Sequence, residues 1–460
     1  MISPQQNFIH MAGENMKLSR HKRIQDVLGN KITSSESATH QFENVDVAKR
    51  RASLLKWKTH AKLDEYLLEF EANFIKAGGK VIWAVNAEEA MATIISILKK
   101  ADVDLVVKSK SVASDEINLK ESLRSAKVEC VETDLGDYIQ QRSNEPAFHM
   151  IMPALHKSFA EVKEIFSEDF PSANTENPEA IVALVRNVMK NKFMSANAGI
   201  TGANFLAADT GSVCITENEG NAILTASYPK IHIVVAGIEK VIPSLNDLHL
   251  FLPLLSSHGT NQNLTSLNHI LTGPKKAAEA DGPEEMYVIL LDNGRTNVLE
   301  SAEQRQALSC IRCGACLNVC PVYKFSGGHA YGPEAMGPIG SVLMPHKYGL
   351  KEYKHLSYAS TLCGKCTDVC PVKIDLHKLL LYSRKDAVSA GMVSRYEKLI
   401  FFFWKKSMLS RVKMNRKISI KKFFLDKLFK KNWGPERELP EFAPLSFNEA
   451  WRNRFPELDK

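Results

Sequence analysis

Apolar residues in the first 75 positions recur at helical spacing on an otherwise polar chain, most clearly at Leu63, Tyr66, Leu67 and Phe70, which predicts helices. The pattern changes at residues 76–80 (KAGGK), a turn leading into the apolar run 81–85. From there strand-like and helix-like segments alternate. Residues 104–107 and 128–132 read as strands, and 114–123, 160–166 and 178–189 as helices. A glycine-punctuated stretch follows, with Gly199, Gly202, Gly211 and Gly220. In it, residues 209–212 (DTGS) predict a tight turn between buried strands, and 218–221 (NEGN) a hairpin turn. The short continuous runs 231–236 (IHIVVA) and 287–291 (YVILL) are typical of strands buried on both faces, while 245–255 is helical in period. Strands alternating with helices imply an open, mostly parallel α/β sheet. Residues 292–295 (DNGR) close it, and a helix begun at 303–308 leads to a dense group of cysteines.

The 460 residues are enough for about three domains, and 44% hydrophobic with 24% charged residues describes a globular protein with large cores. The apolar run 399–404 falls far short of the roughly 18 residues of a membrane span. The opening MISPQQNFIH has no basic segment followed by an apolar one, so secretion is not expected. Net charge is +7, yet residues 395–431 carry 13 Lys/Arg against two acids, leaving the remainder at about −4. Basicity belongs to this tail, and no nucleic-acid-binding body is expected.

Nine cysteines change the picture. Cys130 and Cys214 stand alone and read as small buried hydrophobes. The other seven fall between Cys310 and Cys370. An odd number without an export signal argues against a disulfide framework and for a cytoplasmic metal or cluster site. Residues 313–322 (CGACLNVCPV) and 363–372 (CGKCTDVCPV) agree at seven of ten positions, 50 residues apart. The first run, Cys310-x2-Cys313-x2-Cys316-x3-Cys320-Pro321, is the bacterial ferredoxin spacing, in which the fourth cysteine serves the other cluster. Applied to the repeat, that crossover assigns Cys310, Cys313, Cys316 and Cys370 to one [4Fe–4S] cluster. Cys320, Cys363 and Cys366 go to a second, whose fourth position falls on Ser360. Three thiolates can hold a [3Fe–4S] cluster, or a [4Fe–4S] cluster whose last iron takes Ser360, water or a partner group. Zinc, which favours separated C-x2-C pairs, fits this pattern poorly. Arg312, Lys324, Lys365 and Lys373 lie among the ligands, either offsetting cluster charge or forming ordinary surface.

The α/β region offers less. Neither G-x-G-x-x-G after a strand nor G-x4-G-K-[ST] occurs, so dinucleotide and P-loop sites are not supported. His149, His156 and His232 have no companion ligand spacing and read as hydrogen-bonded structural residues.

Several stretches together resemble the lactate utilization protein B family, the iron–sulfur branch of the bacterial LUD-domain proteins. They are 108–116 (KSKSVASDE), 131–139 (VETDLGDYI), 153–157 (PALHK), 200–212 (ITGANFLAADTGS), 271–275 (LTGPK), 291–295 (LDNGR) and both cysteine runs. The resemblance covers about residues 50–385. It implies a LUD domain of the NagB/RpiA/CoA-transferase-like α/β fold over 76–298, after a helical extension over 1–75. It also implies an α-helical ferredoxin domain with two iron–sulfur clusters over 299–385, and the charge pattern adds a basic helical C-terminal region over 386–460. The seven cysteines match the family's ligands, and the gap at Ser360 looks like a family trait.

The implied role is electron transfer in a complex oxidising L-lactate to pyruvate, with a cysteine-rich CCG-domain protein and a smaller LUD-domain protein as partners. Alternatives are a self-contained oxidoreductase or lyase with its site in the α/β domain, or a redox sensor. CoA-transferase relatives use a glutamate; Glu217 and Glu219 stand near a suitable turn, but neither can be matched. Residues 275–286 (KKAAEADGPEEM) depart from the family text, keeping only Gly282 and Pro283. Within the tail, 418–431 (ISIKKFFLDKLFKK) places Ile420, Phe423, Phe424 and Leu428 at helical spacing among lysines. Such a helix suits docking on a subunit or on the ferredoxin domain, and also peripheral contact with the inner face of a membrane.

Overall fold

Strand β7 (Ile231–Gly237) is buried along its whole length, and its side chains alternate between two cores. Ile231, Ile233 and Val235 enter one with Ile94 and Leu98, while Val234 and Ala236 enter the other with Phe70 and Phe74. Full burial of such a side chain contributes about 1.5–3 kcal/mol, so a one-residue slip would exchange both cores and is excluded. The computed structural model in which this is seen describes residues 3–17, 20–332, 336–414 and 443–456.

In chain order the other strands are β1 (Lys80–Ala84), β2 (Leu105–Lys108), β3 (Glu129–Glu132), β4 (Ala198–Gly202), β5 (Phe205–Ala207), β6 (Ser212–Glu217), β8 (Val241–Ile242), β9 (Leu267–Leu271) and β10 (Glu285–Leu291). Five of them and β7 form a parallel sheet in the order β1-β10-β7-β4-β2-β3. A second, mixed sheet runs β8-β5-β6-β9. The chain leaves β2 for the edge strand β3, then returns to β4 and builds the opposite way through β7 and β10. The order therefore reverses between β2 and β4, the place where open α/β sheets hold ligands beyond the carboxyl ends of their strands.

The mostly parallel α/β domain agrees with the reading of the sequence, and two local expectations are corrected. Residues 218–221 are not a hairpin turn. Gly220, at φ +78°, turns β6 directly into the helix Asn221–Ser227, whose first N–H groups are taken by the Glu217 carboxylate, and β6 pairs instead with β9. The helix read over 114–123 is two pieces, Val112–Glu116 and Leu119–Ser125, parted by Asn118 in the left-handed region at φ +53°.

Four helices precede the sheet: α1 (Pro4–Lys17), α2 (Arg20–Ala38), α3 (Val45–Ala61) and α4 (Leu63–Lys76). α4 buries Leu63, Leu67, Phe70 and Phe74 under the sheet, as its apolar period requires. The other three reach the cysteine segment. Ile24, Leu28 and Ala52 share one core with Phe148 and Phe251 of the α/β region and with Cys313, Leu317, Tyr323 and Cys370. Asn15 Nδ2 donates to the Ser326 carbonyl at 2.6 Å, and Phe8 meets Tyr331 edge-on at 5.3 Å. Residues 1–387 thus form one compact unit in which helices, sheet and cysteine runs are packed together.

Residues 388–460 form a second unit. Its helix Arg395–Met408 buries no residue of its own and leaves Phe401 through Trp404 at least half exposed. The lysine-rich stretch 418–431 lies outside the described residues. Among those described, no helix is long and apolar enough to cross a membrane.

One substitution tests the layer packing. A Cβ at Gly199 in β4 would stand 1.8 Å from the Thr225 carbonyl oxygen, whereas one at Gly13 in α1 meets nothing within 4 Å. Gly199→Ala should destabilise by about 1–3 kcal/mol and lower the thermal midpoint. Gly13→Ala should leave it unchanged or raise it slightly. Equal midpoints for the two variants would contradict the packing.

Candidate metal centre and its adjoining cavity

Each cysteine run bends where its spacing demands. Arg312 and Leu362, at the same place in the two repeats, both adopt left-handed backbone, with φ +60° and +54°, and Gly314 and Gly364 follow at +75° and +82°. Main-chain N–H groups point at the sulfurs: Arg312 N, on the first of these bends, donates to Cys310 Sγ at 3.4 Å, while Tyr323 N donates to Cys320 Sγ at 3.5 Å and Ile374 N to Cys370 Sγ at 3.3 Å. All nine cysteines are free thiols.

Cys310, Cys313, Cys316 and Cys370 together line one small cavity, closed by Met150, Ile311, Ile339, Val372, Ile374 and Leu376. Burial pushes the Cys313 and Cys316 thiols well up and Cys370 up to about 11. In such apolar surroundings thiolates are costly unless a metal compensates them, and N–H donors to sulfur are what an iron–sulfur cluster uses. The donor set and its enclosure therefore fit a cluster. Cys320 and Cys366 lie near Cys363; burial first, and then the neighbouring sulfurs, push the Cys320 thiol up and the Cys366 thiol up to about 12. Cys363 is exposed, unlike the buried Cys313 and Cys370. Ser360 occupies the place of Cys310 in the second run, and its Oγ accepts from Leu362 N at 3.1 Å, just as Cys310 Sγ accepts from Arg312 N.

The remaining sequence candidates have ordinary partners. His149 Nδ1 accepts from Ile151 N at 3.1 Å while Nε2 meets Asn318 Oδ1 at 3.1 Å, which pins the α/β region to the first cysteine run. His232 bonds Thr201 Oγ1 at 2.8 Å, and His156 bonds Glu145 at 2.9 Å. His329 joins that last pair within 4.8 Å, but bonds the Pro146 carbonyl at 2.8 Å. Glu217 is held by His269 and by two helix N–H groups. Lys373 pairs with Asp46 of α3. Cys214 is buried in an apolar core, as expected of a lone cysteine, and Cys130 is half-buried.

What sequence reasoning missed is the joint between the sheet and the cysteine runs. Arg295 lies between Glu116, at 2.7 and 2.8 Å, and Glu239, at 2.5 Å. Lys347 also reaches Glu116, and Arg312 stands 3.8 Å from Glu239. Lys56 of α3 donates to the Glu239 carbonyl at 2.5 Å. Burial alone would push the Glu239 carboxyl up, but Arg295 and Arg312 outweigh it and hold it down at about 2. A Cβ at Gly237 would fall 2.1 Å from Glu239 Oε2 and 2.3 Å from Arg295 Nε, so only glycine leaves room for this pair.

Above the network opens a cavity of about 610 Å³ beyond the ends of β2, β4 and β7. Ser109, Lys110 and Ser111 follow β2, Gly202 and Asn204 close β4, Lys240 follows β7, and Arg312 comes from the first cysteine run. Four of the sequence stretches that carry the family resemblance thus meet here: those around Lys110, Asp134, Asn204 and Arg295. Nothing in their local spacing announces it, because the sheet order brings them together.

Comparison with known proteins agrees with this architecture. A LUD domain model matches residues 67–291, and a 4Fe-4S dicluster domain model matches residues 306–374. The chain is 44% identical over 405 residues to a Lactate utilization protein B of Bacillus subtilis (strain 168), covering 85% of this chain and 84% of that one. It is 43% identical over 390 residues to a protein of the same name from Bacillus licheniformis, covering 81% and 82%. A solved DUF162 family protein from Deinococcus radiodurans aligns with a TM-score of 0.27 at 13% identity, over 50% of this chain and 98% of that one, and carries no argument.

The buried joint makes a prediction. Arg295→Met strands two buried carboxylates and should destabilise by about 3–5 kcal/mol. Glu239 is depressed in the folded state, so its contribution is full above the ordinary carboxylate range and is lost as pH falls from there towards about 2. Acid unfolding of the wild type should show that loss. The variant's disadvantage should shrink over the same interval; a pH-independent difference would contradict the assignment.

Proposed function

The chain belongs to the lactate utilization protein B family, and from that premise we propose that it is the iron–sulfur electron-transfer subunit of a complex oxidising L-lactate to pyruvate. The carrying observation is the convergence of Cys310, Cys313, Cys316 and Cys370 on one closed cavity inside a 4Fe-4S dicluster domain. In this reading these four hold one [4Fe–4S] cluster. Cys320, Cys363 and Cys366 hold the second, with Ser360 completing it as an oxygen ligand.

Oxidation of the 2-hydroxy acid breaks the C2–H and O–H bonds, makes a C=O bond, and releases two electrons and two protons. Bound clusters would supply one-electron storage and relay. The residues of the chain do the rest. Thiols from both repeats set the spacing, main-chain N–H groups from Arg312, Tyr323 and Ile374 point at sulfur, and the apolar wall of Met150, Ile339 and Leu376 excludes water. The exposed Cys363 puts the second set nearest the surface, the side an electron-transfer partner can approach. A CCG-domain protein and a smaller LUD-domain protein are the proposed partners.

Two experiments test the reading. Deleting the gene, in a background without another lactate dehydrogenase, should abolish growth on L-lactate as sole carbon source. The wild-type gene should restore it and Cys313→Ser should not. Unchanged lactate consumption would contradict the role. For the second cluster, Ser360→Ala should lower iron retention in air or convert the electron paramagnetic resonance signal to that of a three-iron cluster, and Ser360→Cys should reverse either effect. Identical spectra and iron content for all three proteins would remove Ser360 from the ligand set.

A further inference from the structure

Among the charged groups that line the large cavity, only Lys240 and the exposed Glu219 have no hydrogen bond or ion pair with a described residue. Lys110 Nζ is held by Asp134 at 2.9 Å and by the Ile151 carbonyl at 3.0 Å. Arg295 is held by Glu116 and Glu239, Arg312 faces Glu239, and Glu217 is held by His269. Lys240, on the turn directly after β7, lines the same cavity but forms no hydrogen bond or ion pair with any described residue. The one acid beside it in sequence, Glu239, is already shared by two cations. Protein surrounds Lys240 closely enough that burial brings its ammonium down to about 8.

Glu239 acts on it favourably, but without a hydrogen bond or ion pair of its own the half-buried ammonium is left under-compensated, which is costly. It is tolerated where a ligand anion arrives to complete it. The position is also the one the topology selects, beyond the carboxyl ends of parallel strands beside the reversal of strand order between β2 and β4. The volume of about 610 Å³ lies within the range of ligand sites. Ser111 and Asn204 also line it; their side-chain oxygens accept from Ser114 N and Thr216 N, which leaves hydroxyl and amide hydrogens to donate to a second polar group on the ligand. Arg312 belongs at once to this cavity and to the first cysteine run, one residue from Cys313.

From this juxtaposition we infer that the cavity is a binding site for a small organic carboxylate, with Lys240 as the carboxylate-binding residue and the hydroxyl and amide rim receiving its 2-hydroxy or 2-oxo group. The choice of that class rests on the proposed role in lactate oxidation; the existence of an anion site rests on the geometry alone. The α/β domain is then a substrate- or product-holding chamber built against the first cluster, and no longer only a scaffold for it.

The test uses the full chain, purified anaerobically with its clusters. L-lactate and pyruvate are titrated by calorimetry and by ligand-observed saturation-transfer NMR, with inorganic phosphate as the competing anion. Saturable binding of L-lactate or pyruvate is expected, weakened about tenfold or more in Lys240→Met, as loss of a hydrogen bond to a charged group implies. Lys240→Arg, which keeps the cation, should retain binding. Iron content and circular dichroism should be unchanged in both, so that misfolding cannot mimic the loss. Absence of binding by the wild type, binding indifferent to Lys240→Met, or phosphate bound in place of either acid would each overturn the inference. So would a shifted cluster potential in Lys240→Met with no carboxylate binding by the wild type, for Lys240 would then serve only cluster charge. Growth on lactate reads the electron-transfer role and direct binding reads the cavity, so either can fail without the other.

Discussion

A guanidinium caught between two buried carboxylates, Arg295 between Glu116 and Glu239, sets how the cysteine runs sit on the sheet. Glu116 comes from the connection after β2 and Glu239 from the one after β7. From the opposite side Lys347 reaches Glu116, and Arg312 faces Glu239. Buried charge of this kind is a poor source of net stability, because desolvation offsets most of the Coulomb gain. Its value here is geometric. Each cation has an acid of defined position to answer, so the cysteine runs can dock on the strand ends in only one way. The glycine at 237 is part of the same constraint, since any side chain there would displace Arg295.

That joint explains why the α/β sheet and the cluster segment behave as one body. The apolar core running from Phe251 through Ile311 to Val372 continues between them, and α1, α2 and α3 cover the seam. The wall that shields the first cysteine set includes Met150, which lies between β3 and β4 and also lines the large cavity. Cluster environment and ligand chamber are therefore two sides of the same few residues. A substitution that shifts Met150 or Arg312 would be felt in both.

Much of this was legible in the sequence wherever the signal is local. The spacing of Cys310, Cys313, Cys316 and Cys320 encodes a wrap around a cluster in eleven residues, and its repeat 50 residues on supplies Cys370 to the first set. Strands β7 and β10 were visible because both faces are buried and their text is uniformly apolar. Other features depend on particular contacts that no periodicity records. The Asn218–Asn221 text suits a hairpin turn, yet Glu217 accepts the N–H groups of Ala222 and Ile223 and starts a helix there. The second sheet pairs β6 with β9, about fifty residues apart, with no periodicity strong enough to announce it. Lys240 carried no signal at all, because its isolation is a property of its neighbours in space.

The central claim is that lactate-derived electrons reach clusters held by these cysteines. The most direct measurement is freeze-quench electron paramagnetic resonance of the anaerobic complex, reconstituted from this chain and its proposed partners, after mixing with L-lactate. The account predicts that reduced-cluster signals appear on mixing, in step with pyruvate formation, and that Cys313→Ser removes the signal belonging to the four-cysteine set. Pyruvate formed at the wild-type rate by a complex containing Cys313→Ser, or clusters that stay oxidised while lactate is consumed, would contradict it.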